Sequence, residues 1–430
     1  MTAHTACVLT IGDELLNGDV VNTNASWLGQ ILRRIGIPCR TMLTVSDKPD
    51  QILQALKQAW QAHDLIIITG GLGPTRDDVT KKVLLSFFED KLVRNERVLE
   101  MVTNYFERKN RPITEINREQ ADVPSTAIVL ENELGTAPGL FFEQQDRLLA
   151  AMPGVPYELY HITQNRLIPE IERRWHSSER RVQQRYLRLT GIGESDLSDR
   201  ILAGLEDRIP PNVDLAFLPH PKGVDVRVTE VNGLTDNGFD GLVDWIHRTA
   251  AEYVYSERYD ESLAHHLVRL LSESRQTLAV AESCTGGYLA NAVTDIPGSS
   301  ACFRGGVVAY DNRIKVTFLG VGEAALEKHG AVSAQVALEM AHGVGERMDA
   351  DFGISTTGIA GPDGGTGDKP VGTVWIGFWA REGTHFACRY QLTSERLVNK
   401  ERSFAVAMDL LRRHIRQIPG IPHHPEIVRS

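Results

Sequence analysis

The sequence predicts a multidomain α/β protein, and three observations predict it. Short apolar, β-branched runs alternate with stretches whose apolar residues recur at helical spacing, the pattern of strand-helix-strand units. Segments rich in glycine, serine and threonine follow several of those runs directly. At the roughly 150 residues that one core serves, a chain of 430 residues holds about three domains. Hydrophobic residues make up 42% and charged residues 24%, ordinary globular usage that excludes a disordered or collagen-like chain.

The first unit, residues 1–172, opens with a strand over 6–11, a helix carrying Trp27, Leu28, Ile31, Leu32 and Ile35 on one face, and a strand over 41–45. Ile52, Leu53, Leu56, Ala59 and Trp60 give a second amphipathic helix, and residues 65–69 suit a central parallel strand. Residues 173–255 read as a small α+β connecting module: strand, turn and helix in RRVQQRYLRLTGIGESDLSDRIL, then two strands joined by a Pro-Lys-Gly turn in LAFLPHPKGVDVRVTEV. The third unit, 256–420, is an α/β layer sandwich. Its expected strands cover 277–281, 305–310, 352–356, 371–380 and 385–392; helices start near Glu261, at Tyr288 and after Ser333, and the last runs from about Glu395 to Ile415. The proline-punctuated end, 421–430, is expected to fray and to leave His423 and His424 solvated.

Lys plus Arg number 46 against 56 Asp plus Glu, a net charge of −10 that argues against direct nucleic-acid or anionic-membrane binding. No apolar run approaches the ~18 residues of a membrane span, and the N-terminus lacks the features of a signal peptide. Five cysteines without CxxC or zinc-ligand spacing fit a reducing cytoplasm. A homo-oligomer is expected.

In the third unit, Ala281-Glu282-Ser283-Cys284-Thr285-Gly286-Gly287 stands where a strand ends and a helix begins. A helix N-terminus offers N–H groups to a phosphate or oxyanion, and Thr285, Gly286 and Gly287 allow close approach; a plain helix start explains the hydroxyl residues equally well. Tyr310-Asp311-Asn312-Arg313-Ile314-Lys315 again follows a strand. A serine needs a base, no glycine-rich loop of this unit carries a histidine, and a desolvated lysine is the group left, so Ser283 and Lys315 form the candidate dyad. Cys284 is the rival nucleophile. A third post-strand loop, TTGIAGPDGG, brings Thr357, Gly358 and Gly361, a composition suited to pressing against a ligand.

In the first unit, ligands of a parallel sheet bind beyond the carboxyl ends of strands, so Gly12-Asp13-Glu14 and Gly70 to Asp78 are expected to share a site. Gly70, Gly71, Gly73 and Thr75 suit a phosphate loop, and Asp77 and Asp78, with Asp13 as a further ligand, suit a hard divalent cation. Asn24 adds a polar contact. The competing account is a helix N-terminus with acids matched to its dipole.

AESCTGG, GSSACFRGGVVAYDNRIK, HGAVS, TGIAGPDGG and KPVGTVW together resemble the CinA family (competence/damage-inducible protein), whose C-terminal domain is similar to nicotinamide mononucleotide amidohydrolases. The resemblance implies hydrolysis of the pyridine carboxamide with release of ammonia and no cofactor there, Ser283 as nucleophile, Lys315 as base, and Tyr310 and Thr357 as substrate or proton-relay contacts. The family's late motif resembles Gly-Asp-Arg followed by a Val-Arg pair. Here Ser394-Glu395-Arg396 and Asn399-Lys400 stand there, so Arg396 matches and Lys400 replaces an arginine. The first unit resembles the family's molybdopterin-binding-like domain, in some members an ADP-ribose pyrophosphatase dependent on a divalent cation (Mg, Mn or Co), and the middle module resembles its linker. Pyridine nucleotides and ADP-ribose are the implied ligands. The rival reading is a non-catalytic pterin- or nucleotide-binding protein linked to competence or DNA damage, against which intact Ser283, Tyr310 and Lys315 argue.

Overall fold

The computed structural model describes residues 4–74, 78–175, 183–230, 238–423 and 426–429. The chain divides into two compact units, Met1–Gln183 and Gln184–Ser430.

In the first unit, β1 (Ala6–Ile11), β2 (Cys39–Val45) and β3 (Leu65–Thr69) run parallel because helices Thr23–Arg34 and Pro49–Ala62 supply the crossovers between them. Every residue of β1 and β3 is buried, which is why neither shows polar alternation. Val8 and Ile67 feed one apolar layer with Leu28 and Leu159, while Leu9 and Ile68 feed the opposite layer with Leu56 and Val83. β4 (Leu92–Arg94) and β5 (Asp122–Pro124) form a separate ribbon. β6 (Ile128–Leu130), β7 (Gly139–Gln144) and β8 (Arg147–Met152) complete the order β2-β1-β3-β8-β7-β6, with β8 parallel to β3 and antiparallel to β7.

The second unit begins with an antiparallel sheet in the order β10-β11-β9-β12: β9 (Gln184–Leu189), β10 (Val213–His220), β11 (Gly223–Glu230) and β12 (Val254–Ser256). Alternate residues of β11 are buried, and Leu187, Val226 and Val228 pack with Phe239, Leu242 and Ile246 of helix Gly238–Thr249. A six-stranded sheet follows, made of β13 (Leu278–Glu282), β14 (Phe303–Val308), β15 (Phe352–Gly358), β16 (Thr373–Ala380), β17 (His385–Gln391) and β18 (Glu426–Arg429). Its order is β14-β13-β15-β16-β17-β18; the first three strands are parallel and the others antiparallel. Helices Leu263–Ser274 and Arg396–Arg416 cover one face, and Ala334–Arg347 covers the other.

β18 corrects the expected frayed end. Ile427 pairs with Cys388, so residues 426–429 add an edge strand to β17 and satisfy a row of backbone groups that would otherwise face outward. His423 is exposed, and His424 lies outside the described residues. Among the described residues no helix is long and apolar enough to cross a membrane.

Candidate functional site

Strand register gathers the three loops of the second unit. Glu282 of β13 lies opposite Val308 of β14 and Thr356 of β15, so the chain leaves the sheet at one edge through Ser283, Ala309-Tyr310 and Gly358. Backbone bonds lock the exits: the Ser283 N–H donates to the Thr356 carbonyl at 2.9 Å and the Ala309 N–H to the Glu282 carbonyl at 2.7 Å.

The turn itself is organised by a residue the sequence reading passed over. The Glu282 carboxylate, 1% exposed, accepts the N–H groups of Gly287 (2.9 Å), Leu289 (3.1 Å) and Ala290 (2.8 Å). It caps helix Tyr288–Thr294 from within the chain, so the N–H groups expected to receive a phosphate or oxyanion are already engaged. Gly286 and Gly287, at φ 61 and 95, make the left-handed return that brings the helix start over the carboxylate. An acid closing an apolar strand, just before a Gly-Gly turn, was the available signal.

Four expected substrate contacts are corrected to packing roles. Thr285 is fully buried, with its hydroxyl 2.6 Å from that of Thr356. Thr357 is 1% exposed and donates to the Ala331 carbonyl at 2.7 Å. A Cβ on Gly358 would stand 2.6 Å from the Thr373 carbonyl oxygen, and one on Gly361 2.8 Å from that of Ser394. These glycines admit neighbouring backbone.

Lys315 is buried on helix Asn312–Leu319, whose start is capped by the Asp311 side chain. Its Nζ donates to the carbonyls of Ala309 at 2.8 Å and Tyr310 at 3.2 Å. Burial pushes its pKa below the ordinary lysine value, against the opposing influence of Asp311 and Cys284. A neutral amine has two N–H bonds and one lone pair; the two carbonyls use the N–H bonds and leave the lone pair to accept a proton. Among the described residues no hydrogen bond joins this amine to the Ser283 hydroxyl. Burial pushes the Cys284 thiol up to about 12, which disfavours its thiolate.

Arg396 spans the edge: it donates to the Gly361 carbonyl at 3.0 Å and to the hydroxyl of the exposed Tyr310 at 3.3 Å. Buried Asn399 fixes both flanking loops, donating to the carbonyls of Ala360 and Thr393 and accepting from the Thr393 N–H. Lys400 Nζ lies 3.9 Å from where a Cβ on Gly286 would stand.

In the first unit, a cavity of about 500 Å³ is lined by Gly12, Glu14, Asn24, Asp47, Gly70, Gly71, Gly73, Asp78 and Glu158. The approach of its two post-strand segments is close: a Cβ on Gly70, at φ 106, would stand 2.4 Å from the Ile11 carbonyl oxygen. Asn24, 7% exposed, donates to the Gly154 carbonyl at 2.7 Å and to Thr69 Oγ1 at 3.3 Å, while its Oδ1 is buried without a partner. Thr75 and Asp77 lie outside the described residues. Asp78 lines the cavity, but Asp13 does not: it is exposed in the short helix Asp13–Leu16, with its N–H accepted by Asp47 at 3.4 Å. Glu14 and Asp47 line the cavity instead. Among the described residues no three His, Cys, Asp or Glu side chains gather as a metal cluster.

Three family descriptions match successive parts of the chain: "Probable molybdopterin binding domain" at residues 7–173, "Damage-inducible protein CinA KH domain" at 184–256 and "CinA C-terminal domain" at 260–415. The CinA-like protein of Cytophaga hutchinsonii is 39% identical over 419 residues, covering 96% of this chain and 98% of its own. The chain belongs to the CinA family. The CinA-like protein of Chloroherpeton thalassium is 41% identical over 415 residues, 94% of this chain and 98% of its own. Among solved structures, competence/damage inducible protein CihA from Agrobacterium tumefaciens is 39% identical, covering 36% of this chain and 94% of its own at a TM-score of 0.35. The CinA C-terminal segment contains the Ser283–Lys315 edge, and the molybdopterin-binding-like segment contains the Gly70 cavity.

Proposed function

We propose that this CinA-family chain is a pyridine-nucleotide salvage hydrolase that converts nicotinamide mononucleotide to nicotinate mononucleotide and ammonia. Lys315 carries the reading: a buried lysine with two carbonyls on its N–H bonds and a pKa held below the ordinary value is a base prepared in advance. Ser283 Oγ attacks the carboxamide carbon as its proton passes to Lys315. The C–N bond breaks, the proton returns to the departing nitrogen, and ammonia leaves an acyl ester on Ser283. Water then adds to the ester carbon and releases the carboxylate and the serine. Arg396 and Lys400 supply positive charge for the ligand phosphate, Lys400 as a point charge without the bidentate fork of arginine.

The first unit fits a second hydrolase, an ADP-ribose pyrophosphatase assisted by a divalent cation. Asp78, Glu14 and Asp47 line the cavity, and one or two of these carboxylates would hold a hard cation such as Mg, Mn or Co together with the substrate phosphates. One or two carboxylates together with substrate phosphates are the usual way to hold Mg, and no larger protein cluster is required. When bound, such a cation neutralises charge developing on the phosphate oxygens. The Gly70–Gly73 turn lines the cavity where the diphosphate would lie.

One experiment tests both halves: ammonia release from nicotinamide mononucleotide and AMP release from ADP-ribose, each with and without a chelator. Ser283→Ala abolishes the first reaction and spares the second. Asp78→Asn and chelation abolish the second and spare the first. A chain that binds these nucleotides and releases neither product is the non-catalytic binding protein instead.

A further inference from the structure

We propose that the second unit holds another binding site, distinct from the Ser283 edge, for a phosphorylated ligand of nucleotide size with an apolar body. The site is a cavity of about 660 Å³ between the Thr190–Asp196 segment and the β10–β11 turn on one side, and β17 with helix Arg396–Arg416 on the other. Its volume falls in the range of small-molecule sites, about 300–1,000 Å³. Its walls do not include Ser283, Tyr310 or Lys315, so it stands or falls independently of the amide hydrolysis.

The charge in this cavity is set in advance. Lys222 sits in the β10–β11 turn, where the Thr190 hydroxyl donates to its carbonyl at 3.0 Å and its own N–H donates to His220 Nδ1 at 3.2 Å. Its ammonium stands 5.7 Å from the Phe404 ring centre and 5.9 Å from that of Tyr288. Among the described residues no carboxylate pairs with Lys222 or with Arg402 on the opposite wall. Other charges are balanced in place: Arg389 faces Glu426 at 3.4 Å, Asp196 faces Arg200 at 3.2 Å, and His220 faces Asp225 at 3.4 Å. Glu194 remains as counter-charge to two cations. A phosphate satisfies that excess, because charge-assisted bonds to Lys and Arg are the strong ones.

The remaining walls are apolar where the body of the ligand would lie, through Ile192, Pro219, Leu392, Ala405 and Val406. Tyr390, 6% exposed, lines the same wall.

The test uses the full chain and 8-azidoadenosine monophosphate as a photoaffinity probe, with adducts located by peptide mass mapping. Adducts are expected on residues 219–224 or 389–392. Labelling there falls by about tenfold in the doubly substituted Lys222→Gln, Arg402→Gln chain, and millimolar inorganic phosphate competes it. Adducts confined to the first unit or to the Ser283 edge, labelling unchanged in the double variant, or labelling indifferent to phosphate would each overturn the proposal.

Discussion

At the scale of single residues, Lys315 makes opposite demands on stability and activity. Its pKa is held below the lysine value of 10.5, so between the folded-state pKa and 10.5 the unfolded chain binds more protons. Stability from this group therefore rises with pH through that window and is reduced below it, where a charged amine must be kept buried. The same titration creates the base: ammonia release should rise with pH as Lys315 loses its proton, at a pH below that of free lysine. Lys315→Met should be inactive yet more stable than the parent at pH 7, with its stability no longer rising across that window, as seen in denaturant melts at several pH values. Cys284→Ser should retain turnover, since burial disfavours the thiolate. An unchanged pH profile of kcat in Lys315→Met would remove the lysine from the mechanism. Residue type and position after a strand single out Ser283 and Lys315 in the sequence, whereas the burial of Lys315 against the Ala309 and Tyr310 carbonyls appears only in the structure. Thr285 and Thr357 were not legible, because a hydroxyl residue in a loop reads the same whether it faces a ligand or, as here, a neighbouring threonine or carbonyl.

At the scale of elements, the decisive unit is strand, turn and helix from β13 to Thr294, and Glu282 holds it together. Three N–H groups converge on one buried carboxylate. Glu282→Ala strands those donors and should cost about 2–4 kcal/mol in chemical denaturation. Glu282→Gln keeps an acceptor oxygen and should cost roughly half as much. Ammonia release should fall in the same order, because Ser283 is the next residue in the chain. Equal stability of Glu282→Ala and the parent would show that water replaces the cap. Strands buried on both faces, such as β1, β3 and β13, declared themselves as short apolar runs. The β7–β8 hairpin did not: Gln145 and Asp146 turn it at φ 53 and 59 with neither glycine nor proline to mark the place. β18 was hidden for the opposite reason, since the prolines before it suggest an end while its pairing depends on β17, far away in sequence.

At the scale of the whole chain, the sequence divides into three stretches, yet the second and third share one compact unit. Buried side chains explain the union. Arg412, 2% exposed, donates to the Glu252 carbonyl at 2.6 Å and the Val254 carbonyl at 3.4 Å while bonding to the fully buried Asp409 at 2.8 Å. Arg413 bonds to Asp409 at 2.9 Å and to Glu252 at 3.3 Å. From the other direction, Arg188 of β9 donates to the carbonyls of Tyr259 and Glu261. Composition showed these arginines only as surface-type residues on an amphipathic helix. A chain cut at 256 keeps Asp409 and both helix arginines but loses Arg188, Glu252 and Val254, so a buried ion cluster is opened on one side. Residues 184–430 should therefore melt cooperatively and release ammonia at the rate of the full chain, chelator or not. Residues 256–430 should be less stable by roughly 2–4 kcal/mol, since charged groups lose partners that water replaces only in part. Differential scanning calorimetry of the two fragments decides the matter: equal stabilities would mean that the arginine cluster is rehydrated without cost and that the middle module is dispensable to the fold of the third.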